Sequence, residues 1–120
     1  MERDQVSYNI DLCDRATKDV LSMEEPFTDG GTHAIGGTYD CSLNVTYNYS
    51  AVYRIFDFSL RNLHEKSAAE TVTAMRAIVE KTGTNTFEDY WAPTPGNAGA
   101  ALARLISFAE VHPDGVWDVR

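Results

Sequence analysis

The segment Glu88-Asp89-Tyr90-Trp91-Ala92-Pro93-Thr94-Pro95-Gly96-Asn97-Ala98-Gly99 holds the residue types best suited to gripping a small molecule. It sets two aromatic rings on a loop that runs into a glycine-rich helix start. The unpaired N–H groups of a helix start, together with the positive end of its dipole, favour an anion such as a phosphate or carboxylate. Gly96 and Gly99 would let a ligand approach the backbone, Asn97 offers donor and acceptor, and Tyr90 or Trp91 could stack on a base. A purely structural use of the same residues is open as well: Thr94 or Asn97 caps the helix, Pro95 takes its first position, and the rings plug the end of the core. Arg54, Arg61, Arg76 and Arg104 lie on helical segments, and any of them could complete an anion pocket, from the same chain or a neighbouring subunit, with Arg54, Arg61 and Arg104 the leading candidates. Their ordinary use is a solvated or ion-paired surface side chain.

Catalytic patterns are poor. His33, His64 and His112 are widely spaced, no serine or cysteine sits in a nucleophile-elbow pattern, and the two cysteines lack the spacing of a zinc site. No catalytic residue, metal ligand or cofactor is assigned, and the balance leans away from an enzyme. His64 and His112 are expected near helix C-termini as partners of the dipole. Cys13 and Cys41 are expected to be reduced, with Cys41 on the apolar phase of a strand.

The elements that must position these residues are legible in the periodicity. From Asp40 to Ser50 apolar and polar residues alternate, with Cys41, Leu43, Val45, Tyr47 and Tyr49 on one parity, which predicts a half-buried strand over that span. Val6, Tyr8, Ile10 and Leu12 predict another. Thr32 to Ile35, between the turn signals Asp29-Gly30 and Gly36-Gly37, predicts a short third. Asp14 to Met23 reads as either a short helix or a continued strand, and the structure of residues 14–30 is left open. Ser50 is expected to cap a helix whose face carries Val52, Ile55, Phe56, Ser59, Leu60 and Leu63. Ser67 and Glu70 form a capping box opening a second helix, with Ala68, Val72, Met75, Ile78 and Val79 inward and Gly83 just past its end. A third begins near Pro95 to Ala98, buries Ala98, Leu102, Leu105, Ile106 and Ala109, and stops at Pro113. Val116 to Val119 closes the sheet. The expected fold over residues 1–120 is one α+β domain: an antiparallel sheet of N-terminal strands plus a C-terminal strand, with three helices packed on one face.

Composition narrows the function classes. The 120 residues carry 10 basic and 18 acidic side chains, a net charge of −8, which argues against binding a nucleic-acid backbone. The sequence contains no apolar run long enough for a membrane span and no signal peptide at Met1-Glu2-Arg3-Asp4, so a cytoplasmic protein is expected.

The motifs Leu43-Asn44-Val45-Thr46-Tyr47-Asn48-Tyr49-Ser50, Asp89-Tyr90-Trp91, Thr94-Pro95-Gly96-Asn97-Ala98 and His112-Pro113-Asp114-Gly115, in that order, resemble small accessory proteins of tailed phages and prophages. The resemblance runs over about residues 36 to 119, and no catalytic residue carries over from it. It implies a protein made during infection and acting in the host cytoplasm against host defence. Two routes follow by analogy of context: sequestering a small phosphate-bearing, nucleotide-like ligand as a homo-oligomer, or docking on a host defence protein through an acidic or aromatic surface. The first is the leading expectation from Tyr90, Trp91, Thr94, Gly96 and Asn97. A small hydrolase or transferase is a third.

Overall fold

In a computed structural model, residues 7–27, 38–89 and 92–120 are described. Val6, the Thr32–Ile35 strand with its flanking turns, His33, Tyr90 and Trp91 lie outside the described residues.

Alternation works as expected at the centre of the sheet. β1 (Ser7–Cys13) runs antiparallel to β4 (Ser42–Thr46) on one side and to β5 (Val116–Val119) on the other, giving the order β4-β1-β5. The register places Ile10 between Leu43 and Val119, and Leu12 beside Trp117. Those five side chains are buried on one face, as a period of two demands. The opposite face carries a polar ladder. Asn44 Nδ2 donates to Ser7 Oγ at 2.9 Å and Asn9 Oδ1 at 2.8 Å, while Asp11 accepts from Ser42 Oγ and from Arg120, both at 2.6 Å. The chain before α2 covers the outer edge of β5: Glu65 N donates to Trp117 O at 2.9 Å and Trp117 N to Lys66 O at 3.0 Å. His64 completes the cover, its Nδ1 accepting the Val119 N–H at 3.0 Å, so its ring serves a strand edge rather than a helix dipole.

The stretch from Asp14 to Met23, open between helix and strand in the sequence, begins as a tight turn. Asp14 Oδ1 accepts the N–H groups of Ala16 and Thr17, and Lys18 takes a positive φ of 70°. The chain then forms β2 (Ser22–Phe27), which pairs antiparallel with β3 (Thr38–Asp40) in a separate two-stranded ribbon. Leu21 ties ribbon to main sheet, its N–H donating to Leu12 O and its carbonyl accepting from Cys41 N.

The strand predicted to reach Ser50 ends at Thr46. Thr46 Oγ1 accepts Asn48 N at 3.2 Å and starts a 3-10 turn, Tyr47–Tyr49, that passes into α1 (Ser50–Arg54). The alternation survives the change because Tyr47 stacks edge-on against Tyr8, with ring centroids 4.5 Å apart, while Tyr49 enters the core. Ser50 is therefore the first residue of α1 and not its cap. The single helix predicted through Leu63 is also interrupted. Phe56 and Phe58 both donate their N–H to Tyr53 O, Asp57 turns to a φ of 55°, and Ser59 caps a second 3-10 turn, Leu60–Leu63. Ile55, expected on the buried stripe, is 78% exposed as a result.

The other helices follow the sequence closely. The capping box opens α2 (Ala68–Thr82), with Glu70 accepting from both the Ser67 N–H and hydroxyl. Gly83 ends it at a φ of 70°, where a side chain would be strained. In α3 (Pro95–Val111) the expected stripe of Ala98, Leu102, Leu105, Ile106 and Ala109 is buried. α2 and α3 pack on each other and on the sheet, and the pair Arg76–Glu110 spans them at the surface. The fold is α+β with antiparallel sheets and helices packed on the main one. Inside, Trp117 Nε1 donates to Thr71 Oγ1 at 2.9 Å, and Tyr53 Oη to Ala98 O at 2.9 Å, so both of these polar rings are buried with partners. Among the described residues no helix is long and apolar enough to cross a membrane.

Candidate functional site

The start of α3 closes on its own chain. Thr94, in extended conformation, caps the helix through Oγ1, which accepts Asn97 N at 3.1 Å, and its carbonyl accepts Ala98 N at 3.1 Å. Asn97 is 3% exposed, and its side chain is fully engaged. Oδ1 accepts the Phe87 N–H at 2.7 Å, and Nδ2 donates to the carbonyls of Asp89 and Ala92, each at 3.0 Å. The loop between α2 and α3 is thus pinned across the helix start, in the place where an anion was expected. The glycines serve the same closure. A Cβ on Gly96 would lie 1.8 Å from Asn85 O, and one on Gly99 would lie 1.9 Å from Gly83 O. Backbone of the loop, rather than a ligand, occupies the space those glycines leave.

The arginines are dispersed. Arg54 is exposed in the last turn of α1. Arg61 sits over the Tyr8 ring with its guanidinium carbon 5.7 Å from the centroid, and Arg104 sits over Phe27 at 4.7 Å. Each of these two is held on a ring of another element, and the expected convergence with Thr94, Gly96 and Asn97 is not what holds them there.

A different surface stands out. The ribbon exposes Glu24 and Glu25 on β2 and Asp40 on β3, and Tyr39 is 53% exposed beside them. β2 and β3 contain no lysine or arginine. The ribbon is fastened at both ends. Phe27 is buried against Phe108 of α3, with ring centroids 5.3 Å apart, and the Arg104 guanidinium lies over the same ring. At the opposite end His112 Nε2 lies 2.6 Å from the carbonyl oxygen of Ser22, which accepts its N–H, so this imidazole anchors the ribbon instead of partnering the end of α3. Fixed ends hold the ribbon backbone in place before any partner arrives.

At the base of the ribbon an open cleft of about 600 Å³ lies between the Asp14–Ala16 turn, Leu21 and the chain from Val111 to Gly115. Asp14 is held ionised below the usual carboxylate range, first by the N–H groups of Thr17 and Ala16. Composition pointed to a net acidic surface. That Asp40 joins Glu24 and Glu25 in one ribbon depends on the pairing of β2 with β3, a contact between two segments that no local pattern encodes.

Two thiols complete the inventory of reactive groups. Burial pushes Cys13 up, helped by Asp11 and Asp118, and pushes Cys41 up to about 12, so both are poor nucleophiles. They are unbonded, and the register sends them to opposite faces of the sheet: Cys41 shares the core face with Leu12, and Cys13 follows Leu12 on the other. Among the described residues no three His, Cys, Asp or Glu side chains gather as a metal site would need. No protein-family model, curated protein or solved structure matches the chain.

Proposed function

We propose that the protein is a non-enzymatic docking module that engages a basic surface of a partner protein through its acidic ribbon. The observation that carries this reading is the anchored two-stranded ribbon, with Glu24, Glu25, Asp40 and Tyr39 exposed and no cation of its own. Complementary charge speeds encounter and selects partners, and an exposed tyrosine supplies contact area at small entropic cost. The net charge of −8 adds long-range steering toward a basic partner. The resemblance to phage accessory proteins suggests the setting, a host defence protein as partner in the host cytoplasm.

The small-ligand reading has less to stand on. Thr94, Gly96 and Asn97, which were to hold a phosphate, are engaged with the chain itself. The test is affinity capture from host lysate with the protein and with a Glu24→Lys/Glu25→Lys variant, whose fold is verified by circular dichroism. A stoichiometric partner captured by the first, lost by the variant and released by high salt is the expected result. Capture indifferent to charge reversal refutes the reading. Calorimetric binding of a cyclic nucleotide or ADP-ribose derivative, with no protein partner, would restore the small ligand in its place.

A further inference from the structure

The cleft at the base of the ribbon has a composition that a flat charged surface lacks. Its lining includes the apolar Leu21, Pro113 and Val111, and Val111 is 45% exposed although it ends a helix whose other apolar residues are mostly buried. The same lining carries the side chains of Asp14, Asp114 and His112. Arg15 lines the same cleft, one cation against its two carboxylates. A volume of about 600 Å³ exceeds what one side chain fills, so a side chain and its flanking backbone both fit.

A long aliphatic stem ending in a positive charge matches this arrangement. Lysine and arginine bury their methylenes along apolar surface while the charged head stays at a polar rim. We infer that the cleft receives a lysine or arginine side chain of the partner protein, its stem on Leu21, Val111 and Pro113 and its head at Asp14 and Asp114. The inference rests on the docking reading and adds to it the site where one basic residue is bound. Ser22, held by His112 beside the cleft, begins the strand that carries Glu24 and Glu25, so the cleft and the acidic ribbon form one continuous surface.

The probe is a short peptide of alternating leucine and lysine, titrated into the full chain by amide NMR, beside the same peptide with every lysine Nε-acetylated. The free peptide should shift the amides of Leu21, Val111 and Gly115, and the acetylated one should not. Asp114→Asn, its fold checked by melting temperature, should weaken binding about fivefold, the scale of a single exposed charge pair. Shifts along Glu24 and Glu25 with none at Leu21, Val111 or Gly115 would overturn the cleft and leave the docking reading standing. Equal shifts from both peptides would overturn the role of charge. Silence at ribbon and cleft alike would overturn both proposals.

Discussion

Replacing Asn97 with alanine tests the central structural claim, that the start of α3 is closed by its own side chain. The substitution removes the acceptor of the Phe87 N–H and the donor to the Asp89 and Ala92 carbonyls. At about 1 kcal/mol net per hydrogen bond, the three are worth about 3 kcal/mol. Loop groups able to rotate toward water recover part of that, so a loss of about 2–3 kcal/mol is expected. For a chain of this size about 4 °C is lost per kcal/mol, which gives a melting temperature lower by about 8–12 °C. Urea denaturation followed by tryptophan fluorescence measures the free energy directly. Asn97→Asp sharpens the experiment: it keeps the acceptor but aims carboxylate oxygens at two carbonyls. At neutral pH it should be less stable than Asn97→Ala, and the gap should narrow in acid as the carboxyl gains a proton. A variant Asn97→Ala that melts within about 1 °C of the parent would refute the claim, since three hydrogen bonds cannot vanish from a stability curve unnoticed. Partner capture should survive in folded Asn97→Ala, because the ribbon is anchored independently through Phe27 and His112.

Thr71→Val leaves the indole N–H of Trp117 buried without its acceptor and should cost about 1–2 kcal/mol in urea denaturation, whereas Thr71→Ser should cost much less. Both thiols should resist alkylation in the native protein and react after unfolding, as counted by mass spectrometry; rapid native labelling of Cys41 would contradict a group pushed up to about 12. The Ser67 hydroxyl, then the Ser67 N–H, holds the Glu70 carboxyl below its ordinary range. The stability it supplies is therefore present above the unfolded value and is lost as pH falls through the lowered folded one. Stability-versus-pH curves of the protein and Glu70→Gln should converge at the acid end and separate toward neutrality.

Local chemistry alone determined a good part of this protein. Ser67 and Glu70 announce the start of α2, because a capping box is closed within four residues. The α3 stripe is a matter of spacing, and the Ile10–Leu12 strand a matter of parity. The capping role weighed for Thr94 is likewise a local device. Tertiary structure decided what such devices leave open. Tyr47 and Tyr49 keep a strand's alternation inside a 3-10 turn, because the Thr46 hydroxyl caps that turn while Tyr8 and the core accept the same rings. Asn97 and Gly96 read equally well as ligand holders and as loop clamps, since an amide and a bare Cα suit either partner. Only the arrival of Asn85, Phe87 and Asp89 over the helix shows which partner they have. The acidic ribbon and its cleft join residues some ninety positions apart, Ser22 with His112, and no periodicity in a single segment encodes a contact of that range.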